Sequence, residues 1–225
     1  NPQGGIAKKD WWKKILTLAE ENDFIVFSDE CYSEIYHETI PTGALEVANQ
    51  IGVDFNRIVI FNSLSKRSNL PGLRSGFVAS GEKNIIKLKK LKSYSGAPNP
   101  IPLQRIAAKV WNDEEHVNMN RKIYKSKILK VNEIFSKLEN FSPPEAGFFI
   151  WLKVKNDEKT TKKLWKYHGV KVLPGSYLSG DRPYLEKKNK QLNNFIRIAL
   201  VSKEEQVISG AKKIVDYIQN EEFRG

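Results

Sequence analysis

With 40% hydrophobic residues and only 14 Gly and 10 Pro among 225 residues, the chain is too apolar for a disordered segment and too irregular for a fibrous one. Its apolar runs, such as Gly147-Phe148-Phe149-Ile150-Trp151-Leu152, fall far short of the ~20 residues that cross a bilayer. The formal charge of +11 draws anions. Yet the lysines lie in diffuse runs such as Lys87–Lys92 and Lys187–Lys190 without a nucleic-acid-binding motif, so a solvated basic surface is expected and no nucleic-acid partner.

A single cysteine, Cys31, excludes an intramolecular disulfide, and histidines at 37, 116 and 168 offer no metal-ligand spacing, so no metal is expected. The opening Asn1-Pro2-Gln3-Gly4-Gly5 has neither the basic region nor the apolar core of a secretory signal. A reducing cytoplasm is the expected compartment, with no membrane partner.

In chain order, residues 8–22 place Trp11, Trp12, Ile15, Leu16, Leu18 and Ala19 at helical spacing. Phe24-Ile25-Val26-Phe27 reads as a short buried strand stopping at Ser28-Asp29-Glu30. A second, Arg57–Asn62, stops at Ser63-Leu64-Ser65-Lys66, and a third, Ser75–Ser80, follows directly. Strands without a polar face predict an α/β sheet covered on both sides. A basic amphipathic helix is expected over 82–93. A proline-rich turn over 95–102 follows, then helices over 103–111 and 114–139. The remainder predicts a smaller α+β unit with strands near 148–154, 170–173 and 194–200 and helices near 158–168 and 203–222. The expected domains are 1–115, a mostly parallel sheet, and 116–225.

In open α/β sheets, ligands bind beyond the carboxyl ends of strands. Asp29–Tyr32 and Ser63–Lys66 both follow apolar strands, so an acid, a phenol, hydroxyls and an amine are expected to emerge at one rim, with Arg74 eight residues further on. A partly desolvated lysine amine can act as a nucleophile. Serines and a guanidinium can hold a phosphate. These are the parts that a pyridoxal 5′-phosphate (PLP) site needs. Taken singly, each has a plainer reading: a solvated lysine, a turn-capping aspartate, an ion-paired arginine.

Order and spacing carry the case further. Ser63-Leu64-Ser65-Lys66-Arg67-Ser68-Asn69-Leu70-Pro71-Gly72-Leu73-Arg74-Ser75-Gly76 resembles the lysine signature of the class I/II aminotransferases. Asn1-Pro2-Gln3-Gly4 resembles their Asn-Pro-x-Gly motif, Ser28–Tyr32 their Asp-Glu-x-Tyr segment, and Phe195-Ile196-Arg197-Ile198-Ala199 their late arginine strand. The resemblance implies the fold-type I PLP-dependent transferase architecture and a homodimer, with the site between the two domains.

It also implies roles. Lys66 would bond the cofactor and shuttle protons, and Asp29 would keep the pyridine nitrogen protonated. Asn1 and Tyr32 would bond the 3′ oxygen. Ser63, Ser65 and Arg74 would bind the phosphate, and Arg197 would clamp the substrate carboxylate. Cys31 reads as packing. Gly147-Phe148-Phe149 resembles a substrate-side stretch of the family or is a plain core strand, and Val172–Tyr177 resembles a closing loop.

The family's N-terminal region is not represented, so the 225-residue chain is expected to be an incomplete, inactive fragment that binds PLP poorly and has no useful turnover. Val172–Ser179 and Phe195–Val201 look most like the succinyldiaminopimelate aminotransferases of lysine biosynthesis, which use glutamate and N-succinyl-2-amino-6-oxopimelate. Aspartate and aromatic aminotransferases share the same catalytic motifs. A PLP lyase or synthase, an aminotransferase-like sensor domain of a regulator, and a basic nucleic-acid-binding protein are the alternatives.

Overall fold

The computed structural model describes residues 1–96, 98–178 and 194–222, so Ala97, Ser179 and the lysines at 187, 188 and 190 lie outside the described residues. The chain groups into two compact units, Ile6–Lys122 and Asn1–Gly5 with Ile123–Gly225. The first five residues thus group with the C-terminal part.

In the Ile6–Lys122 unit, α1 (Lys9–Glu21) buries Trp12, Leu16 and Ala19, one stripe of the helix. Helix α2 (Ala44–Ile51) buries Ala44, Val47 and Ala48. Both stripes pack on Ile58 and Ile60 of β2 (Ile58–Ser63). Strand β1 (Val26–Asp29) runs parallel to β2 with Asp29 opposite Phe61. Strand β3 (Gly76–Ser80) runs antiparallel to β2 on its other side, with Gly76 opposite Ser63.

Three sequence expectations shift here. Strand β1 begins two residues later than expected, because the Phe24 N–H bonds Ala19 O and completes the turn that ends α1. Asp29 is thus the last strand residue. The sheet is not sealed on both sides among the described residues: opposite the α1–α2 face, Phe27 and Val78 remain 70% and 38% exposed. Helix α5 (Ile101–Trp111) also starts inside the expected turn. Pro102 sits in its first turn, where a missing N–H forfeits no helical bond.

Helix α3 (Leu64–Arg67) follows β2 without a break, capped by Ser63, whose Oγ accepts the Ser65 N–H. Helices α4 (Glu82–Tyr94) and α6 (Glu115–Phe135) complete the set begun by α5.

The C-terminal unit holds an antiparallel sheet in the order β4 (Phe149–Lys153), β6 (Phe195–Ala199), β5 (Leu173–Pro174). Alternation sends Ile196 and Ile198 to the core with Ile150 and Leu152 and leaves Phe195 and Arg197 on the other face. Helix α7 (Asp157–His168), capped by Asn156, contributes Leu164, and α8 (Glu204–Tyr217) contributes Val207, Ala211 and Ile214. The strand expected near 170–173 is the two-residue β5.

Candidate active site

Because β1 and β2 are parallel, their carboxyl ends share one edge of the sheet. Asp29 closes β1, and its Oδ1 accepts the Cys31 N–H at 3.1 Å. That bond turns the chain and brings Tyr32 back over the edge. Ser63 closes β2, and Lys66 sits half-buried one turn later in α3. The Lys66 Nζ lies 5.8 Å from the centre of the Tyr32 ring. The charges of Asp29 and Lys66 both act on the Cys31 thiol between them. Burial, then the hydrogen bond and negative charge of Asp29, push that thiol up to about 12, against a smaller lowering by Lys66. At neutral pH Cys31 is therefore a protonated thiol and not a nucleophile.

The hydroxyls lie beside this edge. Ser63 Oγ is 2.9 Å from Ser65 Oγ and 3.1 Å from Ser75 O. Gly76 allows this approach of β3, since a Cβ there would stand 2.5 Å from Asn62 O. Arg74, adjoining Ser75, is exposed and takes the left-handed conformation at φ 52°, which is uncommon for a residue with a Cβ. Asn99 Nδ2 donates to its carbonyl at 2.8 Å, and the Arg74 guanidinium donates to Pro71 O at 2.7 Å. Asn99 thus pins the backbone that carries Arg74.

In the C-terminal unit, Gly4 adopts φ 77° and its carbonyl accepts the N–H groups of Glu145 and Ala146. A Cβ at Gly4 would collide with Pro144. This contact seats Asn1 near β6, where Arg197 Nη1 donates to Asn1 Oδ1 at 3.4 Å. The Arg197 guanidinium lies 4.5 Å from the centre of the Phe149 ring. Among the described residues, the ion pairs do not include Arg197.

The structure therefore gathers Asp29, Tyr32, Ser63, Ser65, Lys66 and Arg74 in one unit, and Asn1 and Arg197 in the other. Residues 1–214 match the family model for aminotransferase class I and II. The chain belongs to the class I and II aminotransferases. Members of this family depend on PLP.

An aminotransferase from Neisseria meningitidis superposes with a TM-score of 0.88 at 38% identity, covering 97% of this chain and 55% of that one. Aminotransferase AspB from Helicobacter pylori gives 0.89 at 32%, covering 98% and 56%. An LL-diaminopimelate aminotransferase of Natranaerobius thermophilus is 29% identical over 226 residues, 96% of this chain and 54% of that protein. The chain thus spans about half the length of the curated relatives it matches. Together these relatives establish the fold-type I architecture with its mixed α/β organisation.

Sequence reading alone did not single out Asn99 as the support of Arg74. An Asn between two prolines carries no signal that it reaches a carbonyl 25 residues away. Nor did it pair Phe149 with Arg197. That pairing depends on the β4–β6 register, which places Trp151 opposite Arg197 and Phe149 two residues along the same face.

Proposed function

We propose that the protein is a PLP-dependent transaminase acting on glutamate and N-succinyl-2-amino-6-oxopimelate, working as a homodimer in the cytoplasm. The observation that supports this reading is the donor set at the β1–β2 edge. It has one amine, one carboxylate and one phenol, with two hydroxyls and a guanidinium beside them. This set fits the cofactor. An aldehyde needs an amine, a pyridinium needs a carboxylate, and a phosphate needs O–H and guanidinium donors.

When bound, PLP supplies an electron sink for the carbanion formed at the substrate α-carbon. Lys66 would hold it covalently, and Nζ would take and return the α-proton. Asp29 would keep a proton on the ring nitrogen by remaining ionised beside it. Tyr32 would donate to the 3′ oxygen. Ser63, Ser65 and Arg74 would take the phosphate.

Arg197 would take the substrate α-carboxylate through its planar fork. Its place on a formed strand, over an aromatic ring, fixes the direction of that fork. Two features support a substrate of the pimelate class, which carries more than one carboxylate. They are the net charge of +11 and the diaminopimelate named in the relative from Natranaerobius thermophilus.

The test uses the longest natural form of the chain, loaded with PLP and mixed with glutamate. Formation of one pyridoxamine phosphate and one 2-oxoglutarate per site is expected, followed by return of PLP on adding the oxopimelate. Loss of PLP without 2-oxoglutarate would point to a lyase. A return with oxaloacetate but not with the oxopimelate would move the substrate to aspartate.

A further inference from the structure

We propose that Arg67 and Ser68 are positioning residues for the Lys66 amine, acting by clamping its helix to the corner between α5 and α6. The inference rests on the reading of Lys66 as the cofactor lysine. Helix α3 is only four residues long, and an isolated single turn does not hold itself, because nucleation fixes several torsions for one hydrogen bond. Something outside α3 must therefore fix where Lys66 begins.

The residues immediately after Lys66 provide that anchor. Arg67 is 5% exposed, and its guanidinium donates to Val110 O at 3.2 Å and Trp111 O at 3.3 Å. These are the last two carbonyls of α5, and Val110 O also accepts the Asp113 N–H at 3.3 Å. The same group pairs with Glu114 and lies 5.2 Å from the centre of the Trp111 ring. One buried guanidinium thus ties α3 to the end of α5 and to the start of α6.

Ser68 adds a second tie. Its Oγ is 2.9 Å from His116 Nε2, and His116 Nδ1 is 2.9 Å from Asp113 Oδ2. Arg67 Nη1 also reaches Ser68 Oγ, at 3.4 Å. Arginine can only donate, so Ser68 Oγ accepts from it; with a neutral imidazole that gives Nδ1–H to Asp113, Ser68 Oγ donates its own proton to Nε2. Asp113 is held below the usual carboxylate range, first by its bond from His116 and then by the Glu115 N–H. The Ser68 N–H meanwhile bonds Leu64 O at 3.0 Å and closes the turn around Lys66.

Two adjacent side chains therefore grip the backbone on one side of Lys66, and only the lysine's own torsions remain to be searched. A misplacement of ~1 Å at a reacting group can cost on the order of 10²-fold. Lysine is no substitute at 67, because an ammonium lacks the fork that spans two carbonyls and a carboxylate.

The test measures how fast Lys66 captures PLP, trapped with borohydride and quantified by peptide mass, in the wild type, R67K, S68A, H116A and H116Q. Melting temperatures are recorded alongside. The wild type should load at Lys66. R67K, S68A and H116A should load about tenfold more slowly or worse, without a matching rise in unfolded protein. H116Q, whose amide oxygen can still accept from Ser68, should recover most of the rate. Should R67K not fold, S68A and the two His116 variants decide the matter. Loading at the wild-type rate in these variants, or slowing that follows the unfolded fraction alone, would overturn the inference. No loading at Lys66 in the wild type would instead remove the functional reading on which it stands.

Discussion

The Arg197 guanidinium lies 4.5 Å from the centre of the Phe149 ring, on the face of β6 opposite the buried Ile196 and Ile198. A cation over an aromatic face is partly compensated without a carboxylate, and an incoming anion would compete for the fork with Asn1 Oδ1, which accepts from Nη1 at 3.4 Å. Arg197→Ala should lower kcat/KM for the amino acid by roughly 30- to 5000-fold, the ~2–5 kcal/mol that goes with truncating one side of a charge pair. PLP binding should stay near that of the wild type. Steady-state kinetics and PLP titration on the same preparation check both halves, and an unchanged kcat/KM would remove Arg197 from the substrate site.

Asp29→Asn isolates the charge from the geometry. The asparagine Oδ1 can still accept the Cys31 N–H, so the turn after β1 should survive and the melting temperature should move little. Transamination should fall by about 10²-fold, the scale seen when one preorganised electrostatic contact is removed. Turnover above half the wild-type rate would contradict the assignment.

Cys31 reports on the same carboxylate. With its thiol pushed up to about 12, the thiolate fraction at pH 8 is on the order of 10⁻⁴, against about a quarter for an ordinary thiol. Alkylation by iodoacetamide at pH 8 should be correspondingly slow in the folded protein. It should speed up in Asp29→Asn, which removes the negative charge and leaves the burial. Fast alkylation of the folded wild type would show that the Asp29–Cys31 arrangement is wrong.

Glu204 predicts an acid-side loss of stability in the C-terminal unit. Its carboxylate pairs with Lys130 and accepts from Ser126 Oγ at 2.7 Å, and these contacts hold it below the usual glutamate range. A carboxyl group that is more acidic when folded stabilises the native state above its unfolded value, here 4.5. That contribution is lost as pH falls through the folded value. Glu204→Gln should lower the melting temperature at pH 7 and narrow the gap to the wild type below pH 4. A gap that stays constant over that range would contradict the linkage.

Much of this was legible in the sequence because strand ends and motif residues coincide. The apolar stretches ending at Asp29 and Ser63 were enough to place an acid and an amine at one edge, since parallel strands bring their carboxyl ends together. The exact start of β1 was not legible, because Phe24 is as apolar as any strand residue and only its hydrogen bond to Ala19 assigns it to the helix turn. The exposure of Phe27 and Val78 was hidden for a related reason: an apolar strand reads the same whether or not anything covers it. The ties from Arg67 and Ser68 span more than 40 residues, and a local pattern carries no trace of them.

The central claim is that Lys66 carries the cofactor, and the visible spectrum tests it most directly. PLP added to the longest natural form of the chain should give a yellow protein whose absorbance survives gel filtration, bleaches with glutamate, and is absent from Lys66→Ala. An identical protein-bound colour in Lys66→Ala, or no colour in either protein, would contradict it.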